Sequence, residues 1–215
     1  MITTRDGIVI PQTLAEYCDP RRMALVVYDM QVGICRQVTD AAAIVERTGM
    51  VLEAARSAGM RVAFTRHLSL PRAWMGATQL RTAMAWQKSG PDNVEPWFLR
   101  DAEATAIVPE LAPRADEAVF DKITMSAFDS TALGLALRDC GLGAIAIAGI
   151  AMEIGIEPTV RQATDNGLVA LVIEDACGFG NRAARDRSMA TLGYVGEALV
   201  TDVAGFRTAL AARVS

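Results

Sequence analysis

A single histidine, His67, stands in this chain of 215 residues. One imidazole excludes a multi-histidine metal centre and a duplicated histidine-based site. The four cysteines, Cys18, Cys35, Cys140 and Cys177, show no CxxC spacing. They indicate neither a zinc site nor a disulfide framework, and they read as reduced thiols. A basic excess is also missing: the net charge is −4 and the sequence pI about 5.1, with no arginine–lysine cluster. That leaves no electrostatic footprint for nucleic acid or an acidic membrane surface, and it favours a small-molecule partner. No apolar run reaches the roughly 18 residues that a membrane helix needs. The start, MITTRDGIVIPQ, lacks the basic-then-apolar design of a signal peptide. The expectation is a cytoplasmic protein.

Against these absences, 52% of the residues are hydrophobic, and the length suits one domain with a large core. Residues 1–22, with Pro11 and Pro20 in a mixed polar pattern, read as an N-terminal arm. Residues 23–215 read as a single domain. Within it, MALVVY (23–28) is an apolar β-type run ending at Asp29, and 41–58 has amphipathic helical spacing before Gly59. A second short strand is expected at 61–65. The 66–113 region is long and rich in tryptophan and proline, with helical pattern at 73–88 and loop at 91–98; so long a connection usually carries function. A brief strand at 118–120 reaches Asp121-Lys122. The spacing then predicts a helix over 130–140, capped by Ser130 or Asp129, with Leu133, Leu137 and Cys140 on one side. Strands at 168–173 and 198–200 and helices at 182–192 and 203–212 close the chain. The alternation is βαβα throughout, which predicts an α/β fold: a three-layer αβα sandwich around a mainly parallel sheet, binding its ligand at the strands' carboxyl ends.

The stretch 144–160, AIAIAGIAMEIGIEPTV, organises this reading. It starts as a strand buried on both faces and stops at Gly149. After a turn, Ile156, Val160 and Ala163 recur at helical spacing up to Asn166-Gly167. Pro158 fits only a first helical turn, so the helix is expected to start near Gly155. The amides of Gly155, Ile156 and Glu157 are then expected to face out of the sheet edge as an anion or oxyanion site. Asp29 ends the first strand and Lys122 the third, so an acid and a base converge on this donor-rich turn.

Three blocks, VYDMQ (27–31), DKITMSAF (121–128) and AGIAMEIGIEPTV (148–160), resemble in order and spacing the signature blocks of the isochorismatase-like (cysteine hydrolase) superfamily. The resemblance covers about residues 22–205. It implies a Rossmann-like, six-stranded sheet in the order 3-2-1-4-5-6, a hydrolase working on a small molecule without metal or other cofactor, and a homodimer or homotetramer. It also implies a triad of Asp29, Lys122 and a nucleophile position at Gly155. Glycine has no atom that can attack, so the covalent thiol route of the amidases in this superfamily is closed. The isochorismatases proper carry a similar Ile-Gly or Val-Gly pair, as Ile154-Gly155 does here, and need no nucleophile. In their reaction an aspartic acid protonates an enol ether and water captures the cation. The expected function is hydrolysis of a small carboxylate-bearing or enol-ether substrate, with Asp29 as acid and Lys122 as its electrostatic partner. The alternatives are a C–N hydrolase using activated water, with the Gly155 and Ala151 amides as oxyanion hole, or an inactive binding relative.

Gln31, Ala151 and Met152 stand inside the matching blocks. With His67, Trp97, Phe128 and Glu153 they make up the expected substrate contacts. Glu153 stands where isochorismatases carry a histidine, and His67 where they carry a glutamine after the second strand; the two side chains are expected to pair across the pocket. Thr65 occupies the place of the nicotinamidase metal-ligand aspartate, so no catalytic metal is expected. Cys35, six residues past Asp29, is a candidate replacement thiol, with a small buried hydrophobe as its plainer reading.

Overall fold

The computed structural model describes residues 1–214, with Val214 described by its backbone alone. Six strands form one parallel sheet: β1 (Met23–Tyr28), β2 (Arg61–His67), β3 (Ala118–Lys122), β4 (Ala144–Ile150), β5 (Val169–Gly178) and β6 (Leu199–Thr201). Their order is β3-β2-β1-β4-β5-β6. The α/β sandwich and the 3-2-1-4-5-6 order are therefore both present. Every residue of β1 and β4 is buried, because these central strands are covered on both faces.

Alternate residues feed two cores. Leu25, Val27, Phe64, Ala146, Ala148, Leu171 and Ile173 pack on one face with Val51 and Leu52 of α1 (Ala41–Ser57) and Phe206 and Leu210 of α6 (Val203–Val214). Ala24, Val26, Tyr28, Ile145, Ile147 and Val172 pack on the other. There they meet Leu133 and Leu137 of α3 (Leu133–Asp139), Val160 and Ala163 of α4 (Glu157–Asp165) and Leu192 of α5 (Arg182–Val195). A further helix, α2 (Ala77–Gln87), lies in the long connection after β2.

Three expectations need correction. The helix over 73–88 is split: Arg72–Trp74 is a 3-10 turn and α2 starts only after Gly76, whose conformational freedom disfavours helix. The helix over 130–140 is shorter, since Ser130 has a left-handed backbone (φ 60°). Neither Ser130 nor Asp129 caps it; the Thr131 hydroxyl accepts from the Leu133 amide instead. Cys140 is exposed at its C-terminus rather than on its apolar side. The arm is also more than a surface strap. Ile2–Thr3 pairs with Val9–Ile10, the turn Leu14–Tyr17 carries a Thr13/Glu16 capping box, and Cys18 is fully buried in the core. Arg213 of α6 donates to the Ala15 and Glu16 carbonyls at 2.5 and 3.0 Å, fastening the arm to the last helix.

The strand order reverses between β1 and β4, and the end of this pair is tightly packed. Gly149, opposite Tyr28, has φ +134°, and a Cβ on it would overlap the Tyr28 carbonyl oxygen. Only glycine fits. The carboxyl ends of β1 and β4 are thereby drawn together, which sets the place of the site.

Candidate active site

Asp29 follows β1 with a left-handed backbone (φ 46°), a conformation that aspartate tolerates better than most residues. Both of its carboxylate oxygens are engaged. Oδ1 accepts from the Thr65 hydroxyl at 2.5 Å and Oδ2 from Lys122 Nζ at 2.6 Å. Thr65 Oγ1 also accepts from the Asp29 amide at 3.1 Å. Lys122, at the end of β3, has a side chain with no solvent exposure, and the Asp29 side chain keeps 5%. The ammonium also donates to the Thr124 carbonyl at 3.2 Å and stands 4.5 Å from the centre of the Tyr28 ring. A carboxylate, a carbonyl and a ring face surround it, which is the compensation that a buried charge needs.

This pair lies at the foot of a cavity of about 490 Å³. Tyr28, Asp29, His67, Ile150 and Ala151 line it from the sheet edge, and Ile34 and Ile154 from neighbouring turns. Trp86, Lys88, Trp97 and Phe98 close it from the 66–113 connection. Of the expected residues, Asp29, His67, Trp97 and Ala151 reach this cavity, and Lys122 reaches it through Asp29.

Gln31, Phe128, Met152 and Glu153 are placed otherwise. Gln31 is fully buried. Its Oε1 accepts from the His67 amide at 2.6 Å, and its Nε2 donates to the carbonyls of His67 and Thr105 at 3.0 and 3.1 Å. It clamps β2 to the long connection, and it is buried away from the cavity. Phe128 and Met152 are core residues, Phe128 packing on Gly134 of α3. Glu153 Oε1 accepts from the amides of Gly180 and Asn181 at 2.7 and 2.8 Å, just before α5. It is an acid at a helix N-terminus. The expected couple with His67 is therefore not made. His67 sits edge-on to Trp86 and Phe98, with ring centres 6.3 and 5.9 Å away. Burial, and then the positive charge of Lys122, push its pKa down to about 4, with Asp29 opposing.

The oxyanion expectation at the turn also needs correction. Met152–Ile156 form a π-helical turn ahead of α4. The amides of Gly155 and Ile156 both donate to the Ala151 carbonyl, at 3.0 and 3.1 Å, and that of Glu157 donates to Met152. Because the π turn precedes α4, the amides at the start of α4 find acceptors in it. Gly155 has a different role. A Cβ there would overlap Tyr28 Oη, so the glycine makes a seat for the phenol. Tyr28, Thr65, Trp86 and Lys88 are site residues that sequence reasoning passed over. Tyr28 carried a signal in its place inside the VYDMQ block and Thr65 in its place two residues before His67.

The thiols stand apart from this cavity. Cys35 lines a separate hollow beside α1, and burial pushes its thiol up to about 11. Burial likewise pushes Cys18 to about 11 and Cys177 to about 12. Among the described residues, no group of three or more His, Cys, Asp or Glu side chains could hold a metal ion, and no helix is long and apolar enough to cross a membrane.

Residues 23–204 match the isochorismatase domain model. The chain belongs to the isochorismatase family. This isochorismatase-family hydrolase is 26% identical over 222 residues to ureidoacrylate amidohydrolase RutB of Serratia proteamaculans, covering 91% of this chain and 86% of that one. It superposes on a cysteine hydrolase from Pseudomonas syringae pv. phaseolicola with a TM-score of 0.75 at 22% identity, covering 90% of this chain and 94% of the other. With N-carbamoylsarcosine amidase from Thermoplasma acidophilum the TM-score is 0.68 at 21% identity, over 85% and 96% of the two chains. At these identities the two structures share the fold.

Two outcomes follow for this family member. Asp29→Asn and Lys122→Met should each lower the unfolding free energy by about 3–5 kcal/mol, because each strands a buried partner. The double variant should lose clearly less than the sum in urea unfolding; additive losses would show that the two charges are not coupled. The depressed pKa of His67 means that the folded state resists its protonation. The stability it contributes is complete above about pH 6.5 and is lost as pH falls toward 4, by at most about 3 kcal/mol. A melting series from pH 7 to 4 should therefore fall less steeply for His67→Asn than for the parent, and parallel curves would contradict the assignment.

Proposed function

We propose that this protein hydrolyses a small, carboxylate-bearing enol ether by direct attack of water, with Asp29 carrying the proton and no covalent enzyme intermediate. The observation that carries the reading is the buried Asp29–Lys122 pair at the foot of a cavity that no thiol lines. A bound substrate covering the pair excludes water and favours its neutral form, with a proton passing from Lys122 Nζ to Asp29 Oδ2 along their 2.6 Å hydrogen bond. Asp29 then gives that proton to the methylene carbon, and the double-bond electrons form the new C–H bond. The cation left at the ether carbon lies beside the regenerated carboxylate, which stabilises it. Water adds to that carbon and returns its proton to Asp29. The resulting hemiketal collapses to a ketone and an alcohol.

An acyl transfer would build up negative charge and need free donors, yet the turn amides at 155–157 are spent internally. An oxocarbenium path needs a carboxylate instead. Lys88 lines the cavity from the end of α2 and has no ion-pair partner among the described residues, which suits it to the substrate's carboxylate. The apolar walls suit the substrate's body. A second reading, C–N hydrolysis with Asp29 as base toward water, is favoured by the free protein's geometry, in which both Asp29 oxygens only accept hydrogen bonds.

A panel of carboxylated vinyl ethers, set against matched amides and ureides, separates the readings. The parent should turn over a vinyl ether, before and after iodoacetamide treatment, and Asp29→Asn should lose about a hundredfold or more in kcat. Turnover of amides alone would establish the second reading. Binding without any turnover would show an inactive relative, and loss of activity on alkylation would contradict the thiol-free route.

A further inference from the structure

A second cavity lies against the first. It holds about 260 Å³ beside α2, and His67, Trp86, Trp97, Phe98 and Met125 belong to the walls of both. Gln79, Ala83 and Trp86 recur along α2 at spacings of four and three, so one face of that helix is turned to it. Several of its polar side chains are spent on neighbouring backbone. The Thr82 hydroxyl donates to the Thr78 carbonyl, the Gln87 side chain donates to the Glu95 carbonyl and accepts from its amide, and the Thr124 hydroxyl donates to the Asp129 carbonyl. Met75, Ala83, Phe98, Ile123 and Met125 make the lining largely apolar.

The two cavities differ in charge. Lys88 lines the first, where the Asp29 charge is matched by Lys122, and Glu95 is the charged residue of the second. Burial and the charge of Lys122 keep His67, in the shared wall, neutral down to about pH 4. A substrate carboxylate is thus drawn to the first cavity and repelled from the second, which leaves the second for an uncharged, apolar group. Size and lining say which group. An apolar cavity of roughly 150 Å³ takes up benzene, so the second has room for an aromatic ring and a short tether. Methionine sulfur and aromatic side chains are favourable neighbours for such a ring. Trp86 and Trp97, in the shared wall, keep 44% and 39% exposure, an indole surface that a ligand lying across both cavities covers.

We propose that the second cavity is a substrate subsite for an aromatic ring carried on the ether oxygen, so that the protein selects arylalkyl enol ethers over small alkyl ones. The inference rests on the reading of Asp29 and Lys88 above and gives the substrate its other end: the carboxylate with Lys88, the methylene carbon at Asp29, and the ring beyond His67 against Ala83 and Ile123.

The test compares methoxyacrylate with phenylethoxyacrylate, each with its ether oxygen on the carbon that bears the carboxylate, and uses the saturated methoxy- and phenylethoxypropanoates as inert counterparts for binding. Calorimetry on the parent should give the phenylethyl propanoate an affinity at least about tenfold above the methyl one, as burial of a phenyl ring requires. Ala83→Phe, which fills the cavity from α2, should reduce that ratio to about one. In turnover the same preference should appear in kcat/KM for the parent and vanish in the variant. Equal affinities in the parent, or a preference that survives Ala83→Phe, overturn the subsite. Should Ala83→Phe fail to fold, Thr82→Phe fills the same cavity from the neighbouring position. A crystal structure of the parent with the phenylethyl propanoate should place the ring against Ala83 and Ile123; a ring against Ile34 and Ile154 overturns the proposal. If neither acrylate is turned over, the proposed hydrolysis falls, and the calorimetric ratio and the ring's position decide the subsite on their own.

Discussion

The buried ion pair of Asp29 and Lys122 is the constraint around which the site is built. Two charges with almost no exposure can persist inside a protein only if each is fully partnered, and four elements supply the partners. The end of β1 places Asp29, β2 supplies the Thr65 hydroxyl, β3 carries Lys122, and the loop after β3 contributes the Thr124 carbonyl. The parallel order β3-β2-β1 brings these groups to one edge. The Tyr28 ring closes the remaining side of the ammonium. The pair therefore ties the sheet edge together, and Asp29 is its member that lines the cavity.

Much of this was legible in the sequence because it depends on strand order and strand ends. Continuous apolar runs such as MALVVY read as strands buried on both faces, and they are. An acid directly after the first strand and a lysine ending the third reach the same edge in any sheet wound this way. The branch of the prediction that failed concerned backbone donors. Pro158 and the spacing of Ile156, Val160 and Ala163 locate α4, but hydrophobic period does not register whether the turn before it is α or π. The π turn uses the 155–157 amides on Ala151 and Met152, so those three donors are not free for an oxyanion.

Side chains whose role depends on a distant partner were the least legible. Gln31 stands inside a signature block and looked like a substrate contact, yet it is consumed by the backbone of His67 and by Thr105, 74 residues away. Glu153 and His67 looked like partners, but each has a nearer one: the amides before α5 for the acid, and two aromatic rings for the imidazole. Gly155 read as a missing nucleophile. In three dimensions it is also a space filled by Tyr28, and nothing in local sequence pairs positions 28 and 155.

Hydrolysis by direct attack of water leaves no covalent enzyme intermediate. Rapid acid quenching during turnover of a vinyl ether, followed by intact-protein mass spectrometry, tests it most directly. The predicted result is a single species at the mass of the unmodified chain at every time from the first turnover to steady state. A transient population heavier by a fragment of the substrate would contradict it.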